Sequence, residues 1–229
     1  MKIPNHIIAH RGVFDNINVP ENSMKAFRKA LKEKYSIELD VQLTSDNQLV
    51  VFHDNTLERM TGENVILQTL SYEELQKYHL LNTNEVIPTL KEVLSLIQDK
   101  VLLDIEIKDT KKIQEVCTIL MQELEGYHNY IVKSFNPKIV RYMKKNYPSV
   151  EVGYLIDFRY PKKWMKYFLT SRLMIKYSKA DFLAIHKRLL LTSKFQSLKK
   201  KYPLFIWTIK KNDSYNQEEY VLICNDLMK

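Results

Sequence analysis

A single closed (β/α)8 TIM barrel, an α/β fold with one hairpin irregularity near the second strand, is the architecture this sequence predicts, and three observations predict it. Short apolar runs alternate with longer amphipathic stretches from end to end. Nine strand-like runs can be counted, and setting one antiparallel partner aside leaves the eight that a barrel needs. No Gly-rich phosphate loop follows any of them, as an open doubly wound sheet with a bound nucleotide would require.

The strand-like runs cover residues 6–10, 37–43, 49–53, 101–107, 130–134, 152–156, 182–186, 204–209 and 220–224. Between most of them lie helical patterns at 23–34, 89–98, 112–124, 137–146, 161–179 and 190–202. The exception is the step from Leu43 to Leu49, where only residues 44–48 intervene. A parallel crossover needs about a dozen residues, so this pair is expected to be an antiparallel hairpin turning at Ser45-Asp46-Asn47. The last run, ending at Asn225-Asp226 close to the C-terminus, is the least secure strand of the ring.

Composition sets the outer limits. The chain has 229 residues, 45% of them apolar, with four Gly and seven Pro, which excludes collagen-like, linker-rich and disordered classes. No linker or internal repeat divides it, so one domain over residues 1–229 is expected. No apolar run approaches the roughly 18 residues that span a bilayer, and residues 1–15 lack a stretch of signal-peptide length. Cys117 and Cys224 are too few for a disulfide scaffold and lack metal spacing, so a cytoplasmic protein is expected. The net charge of +8 is segregated: residues 159–211 hold fifteen Lys and Arg against Asp181 alone, a local +14, leaving −6 for the rest. An anionic partner, such as a membrane surface, nucleic acid or another polyphosphate, is one reading of that stretch; a solvated lysine-rich face is the other. There is no nucleic-acid recognition motif, and no nucleic acid is expected.

Chemistry enters through inverted strands. In Ile37-Glu38-Leu39-Asp40-Val41 both acids share one face and the apolar residues the other. In Leu103-Asp104-Ile105-Glu106-Ile107-Lys108 the charges again share a face. A barrel covered by helices must turn its apolar faces outward, so these charges should point at the axis. Two like charges about 4 Å apart repel by roughly 4 kcal/mol even at an effective dielectric near 20, so something should compensate them. Glu38, Asp40 and Glu106, with no cysteine near, suit one hard divalent cation, Mg²⁺ or Ca²⁺. His10 and His53 both end strands, where barrel enzymes carry their chemistry, and an imidazole pair can share general acid and base roles. Arg11 and Lys108 add fixed positive charge, so the whole reads as a site for a phosphate ester.

Taken together, His10-Arg11-Gly12, Pro20-Glu21-Asn22-Ser23, Glu38-Leu39-Asp40-Val41, Thr44-x-Asp46, Val50-Val51-Phe52-His53-Asp54, Leu57-x-Arg59-x-Thr61-Gly62, Ile87-Pro88-Thr89-Leu90, Ile105-Glu106-Ile107-Lys108, Ser134-Phe135 and Trp207-Thr208 resemble, in order, the motifs of the glycerophosphodiester phosphodiesterase family. The resemblance covers about residues 6–211. It implies hydrolysis of a small-molecule glycerophosphodiester to glycerol 3-phosphate and an alcohol, by way of a cyclic phosphate. His10 and His53 would then be the acid/base pair, and Glu38, Asp40 and Glu106 the cation ligands. Arg11 and Lys108 would contact the phosphoryl group, while Glu21 and Asn22 support the cation shell and its loop. The chain departs from the family at Lys34-Tyr35-Ser36, where glycines are usual, and the short span from His53 to Ile87 leaves room only for a small insertion.

Two other functions share these residues. One keeps the chemistry and changes the substrate to a lysophospholipid or a membrane-attached glycerophosphate polymer. It draws on the basic stretch 159–211 and on Trp164, Met165 and Phe168, which share a helical face among Lys162, Lys163 and Lys166. The plainer reading of that face is a barrel helix packing Trp164 and Phe168 inward. The other function is a non-catalytic barrel that binds a phosphorylated ligand. His186, at a strand end, is either a substrate contact or a structural histidine.

Overall fold

The computed structural model describes residues 7–159, 162–216, 219–225 and 227. Its elements run β1 (Ile7–Ala9), α1 (Met24–Lys32), β2 (Ser36–Leu43), β3 (Leu49–Val51), α2 (Glu58–Thr61), α3 (Tyr72–Leu75), α4 (Leu90–Ile97), β4 (Leu103–Ile107), α5 (Ile113–Glu123), β5 (Tyr130–Ser134), α6 (Pro137–Asn146) and β6 (Val152–Ile156). They continue with α7 (Lys163–Leu169), α8 (Arg172–Ser178), β7 (Phe182–His186), α9 (Lys187–Leu190), α10 (Ser193–Leu198), β8 (Leu204–Ile209) and β9 (Val221–Cys224).

The sheet order β1-β9-β8-β7-β6-β5-β4-β2 closes on itself because β1 also pairs with β2, and every pairing in this ring is parallel. β3 stands outside the ring, antiparallel to β2, with Val41 opposite Val51 and Leu43 opposite Leu49. The five-residue connection thus makes the expected hairpin. The last strand closes the barrel on both sides, against β8 and β1.

Alternation sorts the side chains into two apolar bodies. Ile37, Leu39, Val41, Leu103, Ile105 and Ile107 face outward and pack with Phe27, Val93, Leu120 and Ile139 of the surrounding helices. Inside the barrel, Ile8, Ile131, Leu155, Phe182, Phe205, Val221 and Ile223 form a separate plug. The Phe182 and Phe205 rings stack with centroids 4.3 Å apart. A Cβ at Gly153 would fall 2.2 Å from the Phe182 ring, so β6 needs glycine where it passes the stack. Most plug residues come from the starts or middles of their strands, so the polar inward residues stand above them, toward the C-terminal ends.

Two helical expectations are corrected. The pattern at 161–179 is not one helix but α7 and α8, because Thr170-Ser171 interrupts it. Ser171 adopts extended backbone and its hydroxyl accepts the Met174 N–H at 3.1 Å, capping a new helix. As a result Trp164 and Phe168 are not packed inward: they are 63% and 48% exposed, and Met174 and Ile175 fill the core instead. Likewise the pattern at 190–202 is helical only over α10: Leu190 ends the preceding α9, and Thr192, in extended backbone, starts the new helix. The span between β3 and α4 builds a small apolar cluster of its own from Val50, Phe52, Leu57, Met60, Leu67, Leu75, Leu80 and Ile87. His6, Pro161 and Asp226, which the sequence reading included, lie outside the described residues. No helix among the described residues is long and apolar enough to cross a membrane.

Candidate active site

Parallel register brings the acids together. Glu38 lies opposite Asp104 and Asp40 opposite Glu106 across the β2–β4 pairing, so their side chains share the barrel interior. Glu38, Asp40 and Glu106 are buried, and their carboxylate oxygens lie within 4.8 Å of one another. Such a set fits a hard divalent cation in donor type and in spacing, since all three ligand atoms are oxygens and, among the described residues, no thiolate or imidazole joins them.

Fixed cations stand around these acids. Lys108 Nζ donates to Glu106 Oε1 at 2.7 Å and to Asp40 Oδ1 at 3.3 Å. Arg11 Nε lies 3.4 Å from Asp40 Oδ2, and the Arg11 backbone N–H donates to Glu38 Oε2 at 3.0 Å. Burial alone would raise the Asp40 carboxyl, yet Lys108 and Arg11 hold it far below the usual carboxylate range. The converse holds for Lys108: burial works against its charge, but Glu106 and Asp40 keep it protonated.

The turn after β1 aims Arg11. Arg11 and Gly12 both have positive φ, and a Cβ at Gly12 would meet Ala26 Cβ at 2.9 Å, so the loop fits against α1 only with glycine there. Glu21 takes Arg11 Nη1 at 2.6 Å and Arg59 Nη2 at 2.7 Å, while Asn22 Nδ2 donates to Asp40 Oδ2 at 2.9 Å. Burial would raise Glu21, but the Arg59 hydrogen bonds and the Arg11 charge lower it from 4.5 to about 2. A carboxyl depressed in the folded state stabilises the fold above its unfolded pKa and loses that contribution as pH falls through the folded one. Glu21 is therefore expected to contribute on the order of 3 kcal/mol at neutral pH, lost between about pH 4.5 and 2. Denaturant titrations across that range should show the stability gap between wild type and Glu21→Gln closing as the pH drops; a gap independent of pH contradicts it.

Both imidazoles line the cavity, and each has its Nδ1 occupied. His10 Nδ1 lies 2.6 Å from Asn225 Oδ1, and His53 Nδ1 lies 2.5 Å from Asp54 Oδ1. An amide or carboxylate oxygen only accepts, so each ring donates there and keeps Nε2 free for proton exchange. Arg59 Nε holds the other Asp54 oxygen at 2.6 Å, which ties His53 back to Glu21 through one guanidinium. Burial, reinforced by the charge of Arg11, lowers His10 to about 3, so that ring is neutral at ordinary pH.

The cavity is about 320 Å³ and is lined by His10, Arg11, Glu38, His53, Glu106 and Lys133 together with Phe135, Leu155, Asp157, Arg159, Trp207, Thr208 and Ile223. Trp207 meets Phe135 edge-on at 5.6 Å and His186 at 5.1 Å. His186 itself caps α9, its Nδ1 accepting the Arg188 N–H at 3.2 Å, and it does not line the cavity.

Residues 10–225 match the profile described as the glycerophosphoryl diester phosphodiesterase family. The chain belongs to that family. A glycerophosphodiester phosphodiesterase of Caldanaerobacter subterraneus subsp. tengcongensis is 38% identical over 170 residues, 69% of this chain and 69% of that protein. A Mycoplasma genitalium protein that carries no functional name is 30% identical over 226 residues, 92% of this chain and 89% of its own. Among solved structures, an Oleispira antarctica phosphodiesterase in complex with the product sn-glycerol-3-phosphate superposes with a TM-score of 0.79 at 23% identity, covering 98% of this chain and 93% of that one. At that identity the likeness speaks for the fold.

In this family member the structure places all nine sequence-derived candidates, His10, Arg11, Glu21, Asn22, Glu38, Asp40, His53, Glu106 and Lys108, at one end of the barrel, joined by the contacts above. Four residues escaped assignment. Asp54 and Arg59 stood inside quoted motifs, and the adjacency of Asp54 to His53 was a usable signal. Lys133 could have been flagged as a lone charge in Ile131-Val132-Lys133-Ser134. Asn225, 215 positions from His10, left no local signal.

Proposed function

We propose that this chain hydrolyses glycerophosphodiesters to glycerol 3-phosphate and an alcohol, using one divalent cation, Mg²⁺ or Ca²⁺, at Glu38, Asp40 and Glu106 and the imidazoles of His10 and His53. Hydrolysis of such diesters is the activity of the family to which the chain belongs. The observation that carries the residue assignment is the cavity itself, where two Nδ1-anchored imidazoles, Arg11, Glu38 and Glu106 converge, with Asp40 clustered behind the two acids. The product complex of the Oleispira antarctica protein of the same fold supports a small glycerophosphate ligand.

When bound, the cation supplies charge stabilisation at the phosphoryl oxygens and acidifies a nearby hydroxyl. The side chains do the rest. Arg11 and Lys108 hold the phosphoryl group; Glu21 fixes the Arg11 fork and Asn22 steadies Asp40. One imidazole takes the proton of the glycerol hydroxyl next to the ester as its oxygen bonds to phosphorus, and the other returns a proton to the departing alcohol oxygen. Water then opens the cyclic phosphate with the two roles exchanged. Asp54, held by Arg59, turns His53 Nε2 toward the reaction, and Asn225 does the same for His10; the ring acting as base enters with Nε2 unprotonated, and the ring acting as acid enters as the imidazolium, with a proton on Nε2 to give. We assign residues 1–229 to one catalytic domain. A cytoplasmic location accords with two free, buried thiols.

A second reading, with a lysophospholipid or membrane-borne substrate, is favoured by one feature. An apolar groove of about 740 Å³ lined by Met165, Phe168, Leu169, Leu173 and Tyr177 shares Phe135 with the catalytic cavity. Beside it Trp164 and Tyr167 are 63% and 66% exposed, within the basic stretch 159–211 that would meet anionic lipid.

Release of glycerol 3-phosphate from a panel of glycerophosphodiesters and lysophospholipids, with and without chelator, separates these readings. The proposal expects chelator-sensitive release from the soluble diesters. No release from any member overturns it, and release confined to lysophospholipids, together with sedimentation on acidic vesicles at low salt, selects the second reading.

A further inference from the structure

A lysine is buried among the proposed cation ligands. Lys133 points into the barrel from β5, its side chain 1% exposed, beside the apolar plug. Its ammonium donates to Asp104 Oδ2 at 2.5 Å and stands 3.1 Å from Glu38 Oε1. Asp104 does not belong to the gathered acids; it is fully buried, and its Oδ1 has no hydrogen-bond partner among the described residues. Burial opposes the charge on Lys133, and Asp104, Glu38 and Glu106 together keep it protonated. Such interior ion pairs are costly to desolvate, and replacing one with apolar residues of similar volume is often neutral or stabilising. Stability alone does not account for this pair.

What Lys133 touches besides Asp104 is Glu38. That carboxylate is gripped at both oxygens: Oε1 by Lys133, and Oε2 by the Arg11 backbone N–H at 3.0 Å, on the side where His10 Nε2 lies 3.9 Å away. With one partner fixed on each oxygen, turning the carboxylate to offer both oxygens to one cation would break the Lys133 or the Arg11 contact. Ca²⁺ accepts one- and two-oxygen carboxylates in flexible shells of roughly six to eight ligands, whereas Mg²⁺ requires a compact octahedral shell. From this contact we infer that Lys133, anchored by Asp104, is a positioning residue that restricts Glu38 to one oxygen toward the cation and so selects Mg²⁺ over Ca²⁺. The inference rests on the assignment of Glu38, Asp40 and Glu106 as the cation site.

Calorimetric titration of the chelator-treated protein with Mg²⁺ and with Ca²⁺ tests it on the wild type, on Lys133→Met and on Lys133→Met with Asp104→Leu. The double variant removes both charges, leaves no unpaired acid below Glu38, and keeps the test available if the single variant misfolds; circular dichroism checks the fold of each. Wild type should bind Mg²⁺ more tightly. In the variants the affinity for Ca²⁺ relative to Mg²⁺ should rise by roughly tenfold or more, the scale of changes at residues that orient metal ligands. A wild type that binds neither ion refutes the cation site itself. A wild type that prefers Ca²⁺, a ratio unchanged in the folded double variant, or an equal loss for both ions overturns the role of Lys133 and leaves the cation site standing.

Discussion

His10→Ala and His53→Ala are each expected to lower kcat by at least about 10²-fold while the protein remains folded. Each ring occupies a cavity wall and is partly exposed, 14% for His10 and 31% for His53, so its removal leaves little packing defect. What is lost is a proton site. Nδ1 of each ring is tied to an acceptor, and Nε2 is the free nitrogen, so no other imidazole can take over without breaking the Asn225 or Asp54 contact. The two losses should be far from additive if the rings act in one coupled transfer, with the double variant falling little below the worse single one. Asp54→Asn should also reduce kcat, because an amide nitrogen facing Nδ1 favours the wrong tautomer. Steady-state kinetics on a soluble glycerophosphodiester, with the melting temperature as the control for folding, decides each case. Turnover near that of the wild type in either alanine variant removes that ring from the mechanism.

How much of this was legible follows from the range of each interaction. Alternation is local, so the inward acids of Ile37-Glu38-Leu39-Asp40-Val41 and the outward apolar set could be read directly, and the register of β2 on β4 then places Asp40 beside Glu106. The hairpin was legible because chain length forbids a parallel return in five residues. The break between α7 and α8 was not, because amphipathic periodicity continues through Thr170-Ser171 while a single serine cap decides the outcome. Trp164 changed from candidate core to exposed surface for the same reason. Within the site, side chains that announce themselves by charge in an apolar strand or by position at a strand end were found, with Lys133 the exception. Contacts between distant segments were not: Asn225 reaches His10 only because the ninth strand closes the ring, and Arg59 reaches Glu21 only because α2 folds back over the mouth. The clasp among Arg11, Glu21 and Arg59 needs the fold before it exists.

Removing one of the gathered acids should be as damaging as removing a histidine, and it separates binding from catalysis. Glu106→Gln preserves shape and takes one negative charge from a site whose three carboxylates lie within 4.8 Å. It also ends the Glu106–Lys108 ion pair at 2.7 Å, leaving Lys108 to Asp40 alone. Both changes make the cavity more positive and oppose a divalent cation, so the calorimetric affinity for Mg²⁺ and for Ca²⁺ should fall by at least about tenfold. Activity should fall with it and recover in part as the cation concentration is raised, provided the residual acids still hold the ion. Recovery of that kind distinguishes a ligand from a proton donor, for which added metal does nothing. His53→Ala supplies the contrast: its cation affinity should stay near that of the wild type, because His53 is not one of the gathered acids and its ring bonds Asp54. Unchanged cation affinity in Glu106→Gln sinks the ligand assignment, and equal losses of affinity in both variants would place the cation between the imidazole and the acids instead.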